Sequence, residues 1–180
     1  HRLAREAQTR ELPLIIVCPA YVYGPGDEGP AGRFIADLLR RRIPGLLSQP
    51  GWFSFVHVDD VAQGLLLAGE LGQIGATYVL AGEPESMNGF AQRVAQLAQV
   101  RAPLLRFPPA LALLTGRLLD GLTQVTGVRF PISRENVAAT ARDRWLHSSE
   151  RARREWNWQP RNLAAGLTDT VAWFKDRTSR

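Results

Sequence analysis

Five apolar residues, Leu14-Ile15-Ile16-Val17-Cys18, stand between Pro13 and Pro19, and this run constrains the fold more than any other feature. It is short, rich in β-branched residues and free of the polar alternation that marks a half-exposed strand. A strand of this kind is buried on both faces, the environment of a parallel sheet covered by helices. The expected fold class is therefore α/β, with Leu14 to Cys18 as a central strand.

The segments that follow keep that pattern. Pro19 and the Gly24-Pro25-Gly26 cluster stop the strand, and Arg33 to Arg42 reads as a helix with Phe34, Ile35, Leu38 and Leu39 on one side. Ser54-Phe55-Val56-His57-Val58 reads as a second strand leading into a helix that Asp59 or Asp60 could cap and that continues to about Glu70. Thr77 to Leu80 reads as a third, followed by a capped helix from Ser86 to Val100. Alternating strands and helices are the mark of α/β layering. Residues 108–180 are mainly helical, with a stripe of Leu111, Leu114, Leu118, Leu122 and Val125, a helix from Ser133, a short one opened by Ser148-Ser149-Glu150-Arg151, and one from Leu163 to Phe174. Residues 1–11 read as the tail of a helix, and since the sole methionine is Met87, the chain is expected to be part of something longer.

Composition removes several classes. A chain of 180 residues with 45% hydrophobic side chains has enough apolar surface to fold as one globular domain. Cys18 alone cannot form a disulfide scaffold, and Cys18, His1, His57 and His147 lack zinc-site spacing, so no metal is expected. No apolar run approaches the roughly 20 residues of a bilayer span, and the expected location is cytoplasmic, with no membrane partner. The net charge of +5 is almost entirely arginine, because Lys175 is the sole lysine. No dense basic run interleaved with aromatics accompanies it, so no nucleic acid is expected.

Single motifs carry little chemistry. Gly24-x-Gly26-x-x-Gly29 satisfies the dinucleotide fingerprint formally. Pro25 and Pro30 stiffen it, and Asp27 and Glu28 place negative charge where a pyrophosphate would lie. No nucleophile elbow is present. His57 reads as a structural or cleft-lining residue rather than a general base, Asp59 and Asp60 as helix-capping groups, and Trp156, Trp158 and Trp173 as residues that close a core.

Taken together, the stretches are more specific. Cys18-Pro19-Ala20-Tyr21-Val22-Tyr23-Gly24-Pro25-Gly26-Asp27 resembles the extended short-chain dehydrogenase/reductase family, also called the NAD-dependent epimerase/dehydratase family. Phe55 to Ala62, Thr77 to Gly82 and Ser149 to Pro160 are similar to later stretches of that family in order and spacing. The resemblance implies the C-terminal part of a Rossmann-type NAD(P)-binding fold over residues 1–107, with interleaved substrate segments, and a mainly helical substrate-binding region over 108–180. It also implies NAD or NADP in the complete protein, a small-molecule substrate, and a homodimer as one state open to that protein.

By the same resemblance, Pro19, Ala20, Tyr21 and Val22 border the cofactor, while Tyr21, Tyr23, Arg33 and His57 line the substrate site. No catalytic residue is assigned. The family works through a Tyr-x-x-x-Lys pair, and here the one lysine, Lys175, has Val171 four residues before it. The family's epimerases usually carry Arg-Pro-x-Asn at the first motif and a basic residue before the second strand. Cys18, Tyr21 and Trp52-Phe53-Ser54-Phe55 stand there instead, which points to the dihydroflavonol reductase-like branch. A nucleotide-sugar epimerase or dehydratase, and a stand-alone ligand- or protein-binding module, remain the alternatives.

Overall fold

The computed structural model describes residues 12–126 and 144–178, so the helix tail at 1–11 and the helix from Ser133 lie outside the described residues. In chain order the elements are β1 (Ile16–Pro19), β2 (Tyr21–Tyr23), α1 (Pro30–Leu39), β3 (Gly45–Leu47), β4 (Trp52–His57), α2 (Val58–Leu71) and β5 (Thr77–Leu80). They continue with β6 (Pro84–Ser86), α3 (Met87–Ala98), β7 (Leu105–Phe107), α4 (Pro109–Thr126), β8 (Arg144–Trp145), α5 (Glu150–Trp156) and α6 (Leu163–Thr178).

Parallel pairing follows from the intervening helices, which return the chain to the same end of a sheet. β1 pairs with β5, β2 with β4 and β3 with β7, all in parallel. β6 joins β4 antiparallel and β8 joins it in parallel. β1 and β2 form one extended stretch interrupted only at Ala20, yet they serve different sheets. Ala20 still donates its N–H to the Leu80 carbonyl at 2.9 Å. Tyr21, Val22 and Tyr23 then lie opposite Phe55, Val56 and His57. The chain passes back from β5 at Gly82, where a Cβ would overlap the Phe55 carbonyl oxygen, and Phe55 N–H bonds the Glu83 carbonyl at 3.0 Å.

Two apolar clusters fill the space around these strands. The first joins Tyr23, Phe53 and Phe55 to Ile35 of α1, Phe90 of α3 and Leu167 of α6, with Phe55 and Phe90 stacked at 4.4 Å. The second joins Val56 of β4 and Tyr78 and Leu80 of β5 to Val61 of α2 and to Trp156 and Trp158. Alternation along β2 sends Tyr21 and Tyr23 to the first cluster and Val22, with the preceding Ala20, to the second. Burial of each large apolar side chain contributes about 1.5–3 kcal/mol.

Ile15, Ile16 and Val17 are half-buried, and among the described residues β5 is the one ladder partner of β1. One expectation needs correction. Helix α2 is capped not by an aspartate but by His57, whose Nδ1 accepts the Asp59 N–H at 3.3 Å. In α4, Pro109, Ala112 and Gly116 are buried while Leu111 and Leu114 of the stripe are exposed, and the side chains of Leu118, Leu122 and Val125 lie outside the described residues. Ser86 does cap α3, accepting the Gly89 N–H at 3.0 Å, a contact worth about 1 kcal/mol. Among the described residues no helix is long and apolar enough to cross a membrane.

The close approach at Gly82 gives a stability test. Gly82→Ala forces the Phe55 backbone to shift and should destabilise the chain by about 1–3 kcal/mol. Gly69→Ala, on a face of α2 with open space around it, should stabilise it by about 0.5–1 kcal/mol. Denaturant unfolding of the two variants should move in opposite directions, and equal midpoints would contradict the crossing geometry.

Candidate functional site

Open α/β sheets place ligands beyond the carboxyl ends of their parallel strands. Here those ends belong to β1, β2, β4 and β5, and the residues that follow them are Ala20, Gly24, Val58 and Ala81. Pro19 is exposed, and Ala20, Tyr21 and Val22 are half-buried, so this end of the sheets is accessible.

The two tyrosines of β2 point the same way and differ sharply in environment. Tyr21 packs on Phe53 at 5.0 Å and edge-on to Phe55 at 5.3 Å. Tyr23 is 1% exposed, with its ring edge-on to Phe55, Phe90 and His57. Its hydroxyl lies against Gly166 of α6, where a Cβ would meet it. Burial, and then the charge of Asp27, push the Tyr21 phenol up to about 12. Burial, and then the charge of Asp60, raise Tyr23 well above the usual phenol range. Both are neutral phenols at physiological pH, able to donate a hydrogen bond and unsuited to act as phenolate bases.

His57 is also 1% exposed. Because Nδ1 accepts from the Asp59 backbone, the neutral ring carries its proton on Nε2. That atom lies 3.4 Å from Asp169 Oδ1 and makes no hydrogen bond among the described residues. The expectation that Tyr23 and His57 line a substrate site meets a physical obstacle, since Tyr23 lies in the first cluster, His57 packs edge-on against it, and both are enclosed. They form the wall behind the strand ends, not their open face.

A charged clasp holds that wall in place. Asp60 is buried, and its carboxylate accepts the Arg161 N–H at 2.9 Å and Arg161 Nε at 3.0 Å. The Asp60 carbonyl takes the indole N–H of Trp158 at 2.9 Å. The same guanidinium lies 3.5 Å from Asp59 and 3.5 Å from Asp169. Partial burial works against the Arg161 cation, but the hydrogen bond and charge of Asp60 outweigh it and raise its pKa. His57, Asp59 and Asp169 have ligand atoms within 4.8 Å of one another, a spacing compatible with a cation. Arg161 already supplies positive charge there, so the group does not fit a resident metal.

Around the rim, Asp27 accepts the N–H groups of Gly29 at 2.6 Å and Gly32 at 2.7 Å. The donors at the start of α1 thus hold an internal carboxylate, which is why the glycine pattern there is not a phosphate loop. Arg33 is exposed and tied by Nε to the Glu28 carbonyl at 2.8 Å. It lines a cleft of about 380 Å³ shared with Arg40 and Trp173. Sequence reasoning missed a second crevice of about 400 Å³ beyond β5, lined by Ala81, Gly82, His147, Ser149 and Arg153. There Ser149 donates to the Ala81 carbonyl at 2.9 Å and accepts from Arg153 Nε at 3.1 Å. A serine before a short helix reads as a cap, and nothing local signals this long-range bond.

No protein-family profile matches the chain. It is 34% identical over 184 residues to sterol demethylase protein B of Methylococcus capsulatus, across 98% of this chain and 54% of that protein. It is 25% identical over 169 residues to short-chain dehydrogenase/reductase family 42E member 1 of Xenopus laevis, across 87% of this chain and 43% of that protein. Among solved structures it is similar to a nucleoside-diphosphate-sugar epimerase from Pseudomonas aeruginosa, at 26% identity and a TM-score of 0.75, covering 98% of this chain and 52% of that one. The chain spans about half the length of the curated relatives it matches. One relative is named as a short-chain dehydrogenase/reductase and structural neighbours as an epimerase and a dehydratase, and the chain shares their Rossmann-like α/β fold. Neighbours of the same fold are complexed with NAD or NADPH.

The raised phenol pKa values fix the sign of an alkaline effect. Above the ordinary value of 10.0 the unfolded chain releases phenolic protons, while the folded chain keeps that of Tyr21 until about 12. The phenolic contribution to stability should therefore be constant below pH 10 and fall as pH rises beyond it. Unfolding measured across that range in parent and Tyr21→Phe should show a shallower fall in the variant. Identical profiles would mean that Tyr21 is solvated.

Proposed function

We propose that this chain is the substrate-binding half of an NAD(P)-dependent oxidoreductase or epimerase that acts by hydride transfer on a small carbonyl or hydroxyl compound. The observation that carries the reading is the switch of one extended stretch between two sheets at Pro19 and Ala20. It sets Pro19 to Val22 at an accessible strand end backed by a packed wall. A bound nicotinamide would supply or accept the hydride there. Pro19, Ala20, Tyr21 and Val22 would border it, and their fixed backbone fits a planar ring better than a mobile loop would.

Substrate contact falls to Tyr21 and Arg33, while Tyr23 and His57 keep β2 and β4 rigid behind them. Tyr21 donates a hydrogen bond and orients the substrate. Proton transfer belongs to an acid–base pair outside these 180 residues, since both β2 phenols stay neutral and no Tyr-x-x-x-Lys occurs in them. Half-buried Tyr21 over Phe53 and Phe55 is suited to an apolar substrate, in keeping with the dihydroflavonol reductase-like branch.

One observation favours nucleotide sugars instead. β8 brings the Arg144 guanidinium over the Trp52 ring at 5.9 Å, adding positive charge beside an otherwise apolar run.

The test uses the full-length protein with NAD(P)H and small ketones or aldehydes. Tyr21→Phe should lower kcat/KM about fivefold, the loss of roughly 1 kcal/mol, without changing cofactor affinity. The 180-residue chain alone should bind NAD(P) negligibly in calorimetry. Unchanged kcat/KM in Tyr21→Phe, or saturable micromolar cofactor binding by the chain alone, would overturn the assignment.

A further inference from the structure

Among the described side chains of helix α4, Pro109, Ala112 and Gly116 are buried, whereas Leu111 and Leu114 are 46% and 55% exposed. These two leucines are three residues apart and share one helix face with Ala110 and Arg117, both exposed. The run just before the helix repeats the pattern, with Leu104 at 89% exposed and Leu105 also exposed on β7. An isolated surface leucine is ordinary, but four within one strand-to-helix run are not.

Charge identifies what meets this surface. No aspartate or glutamate occurs from Ser86 to Leu119, while Arg101, Arg106 and Arg117 fall among the leucines and are exposed. Large apolar side chains interspersed with guanidinium groups, without acidic residues, match the boundary between acyl chains and anionic headgroups. We infer that the β7–α4 surface, through Leu104, Leu111 and Leu114 with Arg106 and Arg117, docks on an anionic lipid bilayer, lying on it without crossing it. This departs from the expectation of no membrane partner and does not depend on the hydride-transfer reading. A second copy of the chain is a poorer occupant, because a two-fold contact through this face would set arginine against arginine.

Co-sedimentation of the full chain with phosphatidylcholine vesicles, with and without phosphatidylglycerol, tests the inference. Binding should require phosphatidylglycerol and fall steeply with added salt. Arg106→Ala and Arg117→Ala should each lower partitioning about fivefold, from the loss of roughly 1 kcal/mol per basic residue near the surface. Leu111→Ser with Leu114→Ser should lower it about tenfold or more. Leu104→Ser, at the most exposed of these positions, should weaken binding with no change in thermal unfolding, which separates a docking loss from misfolding. Equal binding by parent and leucine variants, or equal binding to neutral and anionic vesicles, would overturn the inference. So would a lipid-free dimer that the leucine substitutions dissociate.

Discussion

The carboxylate of Asp60 is the group on which the rest of the structure depends. It sits at the start of α2, immediately after β4, and takes both the backbone N–H and the Nε of Arg161. With the Trp158 indole on the Asp60 carbonyl, this joins the segment between α5 and α6 to the end of β4, across about a hundred residues of chain. A buried carboxylate is unfavourable unless its oxygens are satisfied, and both oxygens of Asp60 are. The contact therefore selects one docking of α6 rather than merely adding attraction. Removal of one partner from such a buried pair typically costs about 3–5 kcal/mol, and the partial exposure of Arg161 reduces that figure through solvent screening.

From this docking the character of the site follows. α6 crosses the strand ends with Gly166 against the Tyr23 hydroxyl, so Tyr23 and His57 are enclosed and Tyr21, one pleat nearer the edge, stays half-open. Enclosure keeps the phenols neutral. It also gives the wall one geometry, because Tyr23, Phe55, His57 and Phe90 meet edge-on or stacked and cannot turn independently. On the proposed reading, a rigid back wall and one half-buried hydroxyl suit the orientation of a small substrate.

Much of this was legible in the sequence wherever the signal was local. The alternation of strand and helix, the Ser86 cap and the third strand at Thr77 to Leu80 rest on neighbours within a few residues, and the structure has them. β3, β6, β7 and β8 were not read, since two or three residues are too few to show a period. The roles of Asp59 and Asp60 were misread for a different reason. An aspartate after a strand is an ordinary cap, but His57 takes the cap and frees Asp60 for a partner a hundred residues away, which periodicity cannot reveal. A helical period marks the apolar stripe of α4 without saying what that face meets. That Tyr21 and Tyr23 share one side of β2 follows from strand alternation, whereas their unequal burial depends on α6.

Native-state hydrogen exchange on Asp60→Asn tests the Asp60 clasp most directly. The substitution keeps the volume of the side chain and removes its charge. If the clasp docks α6 and thereby encloses the site, protection should fall together at the Arg161 amide, in the first turns of α6 and at Tyr21 to Tyr23, while β5 and α3 keep theirs. Unchanged protection in β2 and α6 would contradict the account and leave the Asp60–Arg161 pair a local surface contact.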